Sequence, residues 1–192
     1  EKGTVECDNP ETELVACKEK LETAKKKLFK PIFGCEMYVA RRRLFNKEGK
    51  PDQSGYHLVV LAKNEKGYHN LIKLVSKAWT EGFYMRPRTD RVELEKYHEG
   101  LIVCTACIAG EVPRNIIAGK YEEAEEAIQW YKRVFGDDFY LELQRHKATV
   151  PRANHEAYKL QQIANEKLIE YSKKLSVTTV RKNIELIIGY DY

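Results

Sequence analysis

The amino-acid sequence predicts an α/β domain, and two observations carry this expectation. Short apolar segments of strand length alternate along the chain with longer segments in which apolar residues recur every three or four positions. The 192 residues are enough for one domain with a sizeable core, and 43% hydrophobic and 32% charged residues are typical of a folded, soluble protein. The alternation predicts a parallel sheet with crossover helices, and both a (β/α) barrel and an open doubly wound sheet fit it.

The first element is an amphipathic helix near the N-terminus. Asn9 is a suitable N-cap, and Pro10 suits the first helical position, where no amide hydrogen is needed. A narrow apolar stripe then follows the helical period at Leu14, Cys17, Leu21, Ala24 and Leu28. Because the rest of its surface is charged, we expect a surface helix that docks on a core.

Two buried strands and a second helix come next. Residues 31–39 and 57–62 are short and apolar, and the polar residues 41–55 between them contain the glycines and proline of a loop. Asn64 is expected to cap a helix that ends near Trp79, because apolar residues recur at helical spacing between them.

The second half of the chain repeats this alternation. Apolar periodicity sets the type of each element, and glycine or proline marks where several of them end. The expected strands are residues 101–105, 139–143, 177–180 and 184–188. The expected helices are residues 91–98, 109–118, 121–135 and 152–175. The sequence shows no fixed-period repeat, so we expect one domain over residues 1–192.

Composition narrows the class of protein. No apolar run approaches the ~20 residues that a membrane span needs, and residues 1–9 are polar and acidic, unlike a secretory signal. These features predict a cytosolic protein. Five cysteines without framework-like spacing predict reduced thiols rather than a disulfide scaffold. A formal net charge of +4 is too small to identify a nucleic-acid-binding protein by itself.

Four potential metal ligands lie in or near the expected strands. Glu36 is within the first strand, His57 begins the second, Cys107 follows the third and His146 follows the fourth. Carboxylate, imidazole and thiolate together suit a divalent metal, and functional groups of α/β proteins gather at strand ends. Each residue also has a structural interpretation, because a buried Glu can pair with a cation, His can cap backbone groups and Cys can fill a core.

Two arginine-containing segments are candidates for contact with nucleic acid or with a partner. One is the run Arg41, Arg42 and Arg43, and the other places Arg86 and Arg88 beside aromatic residues. Both segments also fit a solvated or packed loop. The sequence contains neither a glycine-rich phosphate-loop motif nor a G-x-S-x-G nucleophile motif, so those chemistries are unsupported.

Six ordered segments resemble the polymerase-and-histidinol-phosphatase (PHP) domains of bacterial DNA polymerase III α subunits. They are residues 30–39, 55–64, 67–76, 81–88, 100–111 and 135–144. Six segments in the expected order are far more specific than any single short motif. The resemblance covers residues 29–172, and it is preceded by a helical segment, 1–28, and followed by a divergent tail, 173–192.

The resemblance implies an incomplete or distorted (β/α)₇ barrel of the PHP type, with the N-terminal amphipathic helix outside the family pattern. Glu36, His57 and Cys107 match positions that bind divalent metals in active family members, and His146 lies in a matching segment. Zn²⁺, Mn²⁺ or Mg²⁺ would serve phosphoester hydrolysis there. The implied parent protein is a DNA-directed DNA polymerase, a nucleotidyltransferase of DNA replication. The implied partners are the remainder of the α subunit, a proofreading exonuclease subunit and, through the full-length protein, DNA.

Both ends of the chain depart from the family pattern. Family domains begin with a His-x-His pair and close with an Asn-Asp-x-His segment, whereas residues 1–28 contain no histidine and Asp191 has no accompanying histidine. A metal cluster would lack ligands. We therefore expect a fragment with a vestigial phosphoesterase site, which alone neither hydrolyses phosphoesters nor polymerises DNA. The alternatives are a free-standing metal-dependent phosphoesterase and a non-catalytic module that docks a partner.

Overall fold

The structure is a computed structural model that describes residues 10–27, 31–147 and 155–182. It divides into two compact units, Glu1–Ile32 and Phe33–Tyr192. The first unit contains helix α1, Pro10–Lys27, which begins at the proline as expected. Its predicted N-cap lies outside the described residues, and its docking on a core stays a prediction. None of the described helices is long and apolar enough to cross a membrane.

The second unit is a mixed α/β fold in which strands and helices alternate. Its strands are β1 (Gly34–Val39), β2 (Tyr56–Ala62), β3 (Arg88–Thr89), β4 (Leu101–Cys104), β5 (Phe139–Gln144) and β6 (Thr179–Lys182). Its α-helices are α2 (Gly49–Asp52), α3 (Glu65–Thr80), α4 (Arg91–Lys96), α5 (Glu111–Ile117), α6 (Tyr121–Phe135) and α7 (His155–Leu175).

Most expected elements are confirmed to within a few residues. The Asn64 side chain accepts a hydrogen bond of 2.9 Å from the amide of Gly67, so the predicted N-cap of α3 is present. Two short elements were not expected, because α2 and β3 lie in segments predicted to be loops. The expected strand at 184–188 lies outside the described residues.

The strands form one sheet in the order β3-β1-β2-β4-β5-β6 within the part of the chain that the structure describes. β2 pairs antiparallel with both β1 and β4, while the remaining pairs are parallel. The expectation of a parallel sheet is therefore wrong for β2. The reason lies in residues 40–55, which contain only the single turn of α2, so the chain returns beside β1 without a crossover helix.

The two faces of β1 and β2 differ in character. Met37 lies opposite Leu58 in the strand register, and both are buried in the main hydrophobic core. Tyr38 lies opposite His57, and both side chains are only partly buried. Because successive side chains of a strand point to opposite faces, Glu36 shares this second face. The core thus fixes one face of the strand pair and leaves the other to polar groups.

A candidate metal centre

Glu36 and His57 meet across the β1–β2 pair. The Oε1 atom of Glu36 lies 2.7 Å from Nδ1 of His57, on the face of the sheet that the core does not occupy. Glu36 is 55% exposed and His57 is 28% exposed, so solvent and ligands can reach both groups. This pair supplies one carboxylate and one imidazole at a hydrogen-bonding distance.

The reversed direction of β2 places His57 at the correct edge of the sheet. His57 is the second residue of its strand, and in a parallel sheet it would lie at the opposite edge from residues that follow strands. Because β2 runs against its neighbours, its beginning lies beside Tyr38, near the end of β1, and close to the segment after β4. The reversal therefore brings together ligands that begin one strand and follow another.

A tight turn after β4 presents Cys107 to this pair. Ala106 adopts a positive φ of 57°, which is uncommon for a residue with a side chain. Gly110 passes so close to the backbone that an added Cβ would lie 2.0 Å from the carbonyl oxygen of Thr105. The amide of His57 donates to the carbonyl oxygen of Ala109 at 3.2 Å, so the turn is tied directly to the start of β2. Local strain of this kind is frequent at functional sites.

The three donors fit a divalent cation with mixed ligands. One donor atom each from Glu36, His57 and Cys107 lies within 4.8 Å of the others; we call these residues the ligand cluster. Tetrahedral zinc bonds place nitrogen and sulfur ligands about 3.6 Å apart, and Sγ of Cys107 lies 3.5 Å from Nδ1 of His57. The Glu36 carboxylate is closer to the imidazole than two ligands of one metal, and its exposure allows a small retreat.

The charge state of Cys107 depends on what occupies the cluster. Burial raises the pKa of the Cys107 thiol above its ordinary value, and the negative charges of Glu36 and Glu142 add to this rise. The amide of Ala109, which donates to Sγ at 3.4 Å, acts in the opposite direction. At neutral pH the thiol therefore keeps its proton until a cation displaces it.

The fourth expected ligand, His146, is not brought into the ligand cluster. Its backbone amide donates to Oε1 of Gln161 on α7 at 2.9 Å. Its Nε2 atom is buried and makes no hydrogen bond within the described part of the chain. The donor atoms that converge within 4.8 Å come from three residues, and His146 is not among them.

Arg42 and Arg43, two of the candidates for contact with nucleic acid or a partner, form ion pairs within the protein. The guanidinium of Arg42 contacts the carboxylates of Asp52 and Glu48, and the Asp52 carboxylate is buried. Arg43 donates from Nε to Oδ2 of Asp90 at 2.7 Å. The pKa of Asp52 is lowered, chiefly by its hydrogen bond from Arg42. These pairs hold the loop between β1 and β2 in place.

Arg88 lies in the interior and serves the fold. It is 0% exposed, and its guanidinium donates to the carbonyl oxygens of Gly82, Asp52, Leu44 and Asn46 at 2.8 to 3.1 Å. Its donors are thus occupied by backbone acceptors and are not free for an external ligand. We call Arg42, Arg43, Asp52, Arg88 and Asp90 the arginine lock.

The remaining two arginines lie on exposed positions beside tyrosines. The Cζ atom of Arg86 lies 5.8 Å from the ring centroid of Tyr38, and that of Arg41 lies 5.5 Å from the ring centroid of Tyr56. Tyr38 in turn meets the His57 ring edge to face, with centroids 5.0 Å apart. Tyr38 was not singled out from the sequence, although its position two residues after Glu36 on the same strand places both on one face.

Glu142 is a second residue that sequence reasoning missed. It is buried on β5, where its Oε1 atom accepts a hydrogen bond from Nε2 of Gln144 at 2.8 Å. Together with Cys107 and residues of α7 it lines a small cavity behind the ligand cluster. Its position in an otherwise apolar strand is the signal that could have identified it.

The sequence of the chain is similar to one domain family and to several known proteins. Residues 10–146 match the PHP domain family. The chain is 50% identical over 163 residues to the DNA polymerase III subunit alpha of Borreliella burgdorferi, which is 83% of this chain and 13% of that protein. It is 40% identical over 157 residues to the corresponding subunit of Aquifex aeolicus, with 79% of the chain and 13% of the relative covered.

A third relative, the DNA polymerase III subunit alpha of Chlamydia trachomatis, is 36% identical over 174 residues, with 84% of the chain and 14% of the relative covered. The chain thus spans about one seventh or less of the length of these relatives. Its family match covers well over half of its residues, and the segments that contain Glu36, His57 and Cys107 all lie within that match. The chain belongs to the PHP domain family.

Proposed function

We propose that this chain serves as the PHP domain of a replicative DNA polymerase α subunit. The observation that carries the proposal is the 50% identity to the DNA polymerase III subunit alpha of Borreliella burgdorferi over 83% of the chain. DNA-directed DNA polymerisation is the work of such a complete subunit, of which this chain corresponds to a small part. A free-standing phosphoesterase is a weaker proposal, because the relatives described above are polymerase subunits.

The ligand cluster is proposed to hold one divalent metal ion, either Zn²⁺, Mn²⁺ or Mg²⁺. Glu36, His57 and Cys107 would be its protein ligands, and the thiolate among them favours zinc over the harder magnesium ion. A metal held there lowers the pKa of bound water and neutralises charge on a phosphodiester. In hydrolysis the water oxygen forms a bond to phosphorus, the phosphorus–oxygen bond to the leaving alcohol breaks, and that alcohol takes up a proton.

The proposed fold is an incomplete or distorted (β/α)₇ barrel. The six-stranded sheet of the described residues and the family match both support this fold. In such a barrel β3 and β6, which end the described strand order, would approach each other or further strands. Among the described strands β2 alone is reversed, and in the proposed barrel this reversal would be a distortion from the regular (β/α) pattern.

The remainder of the α subunit is the proposed partner, and one apolar surface suits it. The rings of Trp79 and Phe83 stack at 5.6 Å between centroids, although both are exposed, and Met85, two residues after Phe83 in the sequence, is 65% exposed. Exposed aromatic groups of this kind are enriched at protein interfaces. The chain matches only 13% of the Borreliella burgdorferi subunit, so such a subunit has further residues that could cover this surface. A proofreading exonuclease subunit as second partner, and DNA through the full-length protein, stay predictions.

A cobalt titration tests the metal site directly. Co²⁺ substitutes for Zn²⁺, and a bond to the Cys107 thiolate gives an absorption band that the free ion lacks. We expect about one Co²⁺ per chain, with the band lost in Cys107→Ser. We expect no hydrolysis of bis(p-nitrophenyl) phosphate by the loaded chain, because three protein ligands are too few for a metal cluster, and measurable turnover would contradict the vestigial character of the site. A wild-type chain that takes up no Co²⁺ would overturn the proposed site.

The proposed parent protein has its own test. The reading frame that encodes this chain is expected to continue into a polymerase core. An in-frame stop that leaves the chain separate from any polymerase sequence would contradict that part of the proposal, whatever the metal titration shows.

A further inference from the structure

Arg86 differs in its surroundings from the other arginines near the ligand cluster. Arg42 and Arg43 form ion pairs with carboxylates, and Arg88 is saturated by backbone carbonyls. Among residues 10–27, 31–147 and 155–182, no carboxylate forms an ion pair with Arg86, and its guanidinium lies over the Tyr38 ring. A stacked guanidinium keeps its N–H donors available in the plane of the group.

The sheet places Arg86 on the same face as the ligand cluster. Tyr38 lies directly opposite His57 in the register of β1 and β2, and the two rings are in contact. Arg86 therefore lies over a ring that also contacts His57, a residue of the ligand cluster. Arg41 stacks on Tyr56 instead, and Tyr56 packs against the hydrophobic core. Neighbouring side chains of a strand point to opposite faces, so Tyr56 and His57 lie on different faces of β2. Arg41, which stacks on Tyr56, is therefore on the face away from His57, whereas Arg86 is on the same face as His57.

The fold holds the segment around Arg86 rigidly. Met85 adopts a positive φ of 61°, a strained conformation for an unbranched side chain, and the amide of Tyr84 donates to the carbonyl oxygen of Arg86 at 3.0 Å. The buried guanidinium of Arg88 lies 5.6 Å from the centroid of the Tyr84 ring and anchors the segment to Gly82. A strained turn with a buried arginine beneath it fixes the backbone from which Arg86 extends.

We propose that Arg86 binds the anionic oxygens of a phosphoester whose phosphorus lies at the metal of the ligand cluster. This inference rests on the proposed function and assigns the substrate-binding cation of that site. The guanidinium fork matches two phosphoryl oxygens, and a lysine ammonium does not reproduce this geometry. Tyr38 acts as a positioning residue, because its ring contacts both the Arg86 guanidinium and the His57 ring.

Dimethyl phosphate, a phosphodiester probe without a base, tests this role on the cobalt-loaded chain of 192 residues. Calorimetric titration should show binding by the wild type, and Arg86→Ala should weaken it by about tenfold to a hundredfold. Arg86→Lys should recover only part of that loss. The matched control is Arg133→Ala, which removes an exposed arginine of α6 and should leave the affinity within about twofold.

Separate readouts distinguish the failure of this inference from that of the metal site. The Co²⁺ absorption band should be the same in Arg86→Ala and in the wild type, because Arg86 donates nothing to the metal. If the wild type takes up Co²⁺ but binds dimethyl phosphate no more tightly than Arg86→Ala, the role of Arg86 is overturned and the metal site stands. If the wild type takes up no Co²⁺, both proposals fail together.

Discussion

Two polar groups, the arginine lock and the ligand cluster, lie in and around β1, and they have opposite characters. The arginine lock buries Asp52, Arg88 and Asp90, and the Arg88 guanidinium donates to four backbone carbonyl oxygens. The ligand cluster leaves the Glu36 side chain more than half exposed and brings three potential metal-ligand atoms within 4.8 Å of one another. The polar atoms of the arginine lock are bonded to partners within the protein, whereas those of the ligand cluster can still bind an external ligand.

This difference teaches how structural and functional polar groups are told apart. Burying a charge is costly unless hydrogen bonds and opposite charges offset the loss of water, so a structural charged group shows saturated contacts. A group meant for an external ligand keeps unsatisfied donors or acceptors and a route to solvent. The following predictions test this difference between the two groups, beginning with the largest expected effect.

The largest effect is expected from Arg88→Met. The substitution keeps an apolar stem in the core but leaves carbonyl oxygens of the loop between β1 and β2 without donors. We expect a loss of about 4 kcal/mol in the free energy of unfolding, measured by urea denaturation without metal. Glu36→Gln, an isosteric change in the ligand cluster, should alter it by less than about 1 kcal/mol. Equal losses from both would break the distinction between the two groups.

For metal affinity, a substitution in the ligand cluster is expected to have a larger effect than one in the arginine lock. Cys107→Ser keeps the size of the side chain but replaces the thiolate with a poor ligand, so Co²⁺ affinity should fall at least about a hundredfold. Arg43→Ala, in the arginine lock, should leave Co²⁺ affinity within about threefold, because it lies outside the converging donors. Competition with a chromophoric chelator at fixed pH measures both values. A large loss of affinity in Arg43→Ala would show that the lock also shapes the site.

Acid should weaken the arginine lock through Asp90. Burial alone would raise the pKa of this carboxyl, but hydrogen bonds from Arg43 and from the amides of Leu44 and Glu93 outweigh it, and the pKa is lowered. The stabilisation is therefore present above the ordinary carboxyl pKa of about 4 and is lost as pH falls through the lower folded value. The free energy of unfolding of the wild type should fall between pH 6 and pH 2.5. In Asp90→Asn we expect this fall to be smaller by about 1 kcal/mol.

Thermal melts at those two pH values compare Asp90→Asn with the wild type. An identical pH dependence in both proteins would show that Asp90 is not the group that titrates. Asparagine can keep the N-cap of α4 through its one acceptor oxygen, whereas its amide nitrogen then faces the donors of Arg43 and Leu44. The comparison therefore rests on the pH dependence of stability and not on its absolute value.

The smallest effect is expected from His146→Ala. The residue was an expected ligand, yet its donors are not among those that converge with Cys107. We expect unchanged Co²⁺ stoichiometry and an affinity within about threefold of the wild type. A fall in stoichiometry would add His146 to the ligand cluster and would remove the contrast between the cluster and its surroundings.

The sequence predicted the regular elements well because their signals are local. Helical periodicity and the Asn64 cap set α3, and short apolar runs set β1 and β2. The direction of β2 was missed, since it depends on how residues 40–55 return across the sheet. Periodicity carries no information on that path.

The site residues also divide into those that the sequence could identify and those that it could not. Glu36, His57 and Cys107 were named from their positions in or near expected strands and from segment resemblance, and the structure brings their potential ligand atoms together. Arg88 could not be separated from Arg86 by sequence, because both stand in one short loop. The carbonyl acceptors that bury Arg88 come from residues 6 to 44 positions away, and only the folded chain brings them together.

The reversed strand also sets the order in which the three ligands can meet as the chain folds. β1 and β2 pair as an antiparallel unit across a short connection, so Glu36 and His57 approach each other over 21 positions of sequence. Cys107 joins over 50 positions, after β4 has added to β2. Loop closure of short range is faster than pairing of long range. We therefore expect the pairing of Glu36 with His57 to form before Cys107 joins them.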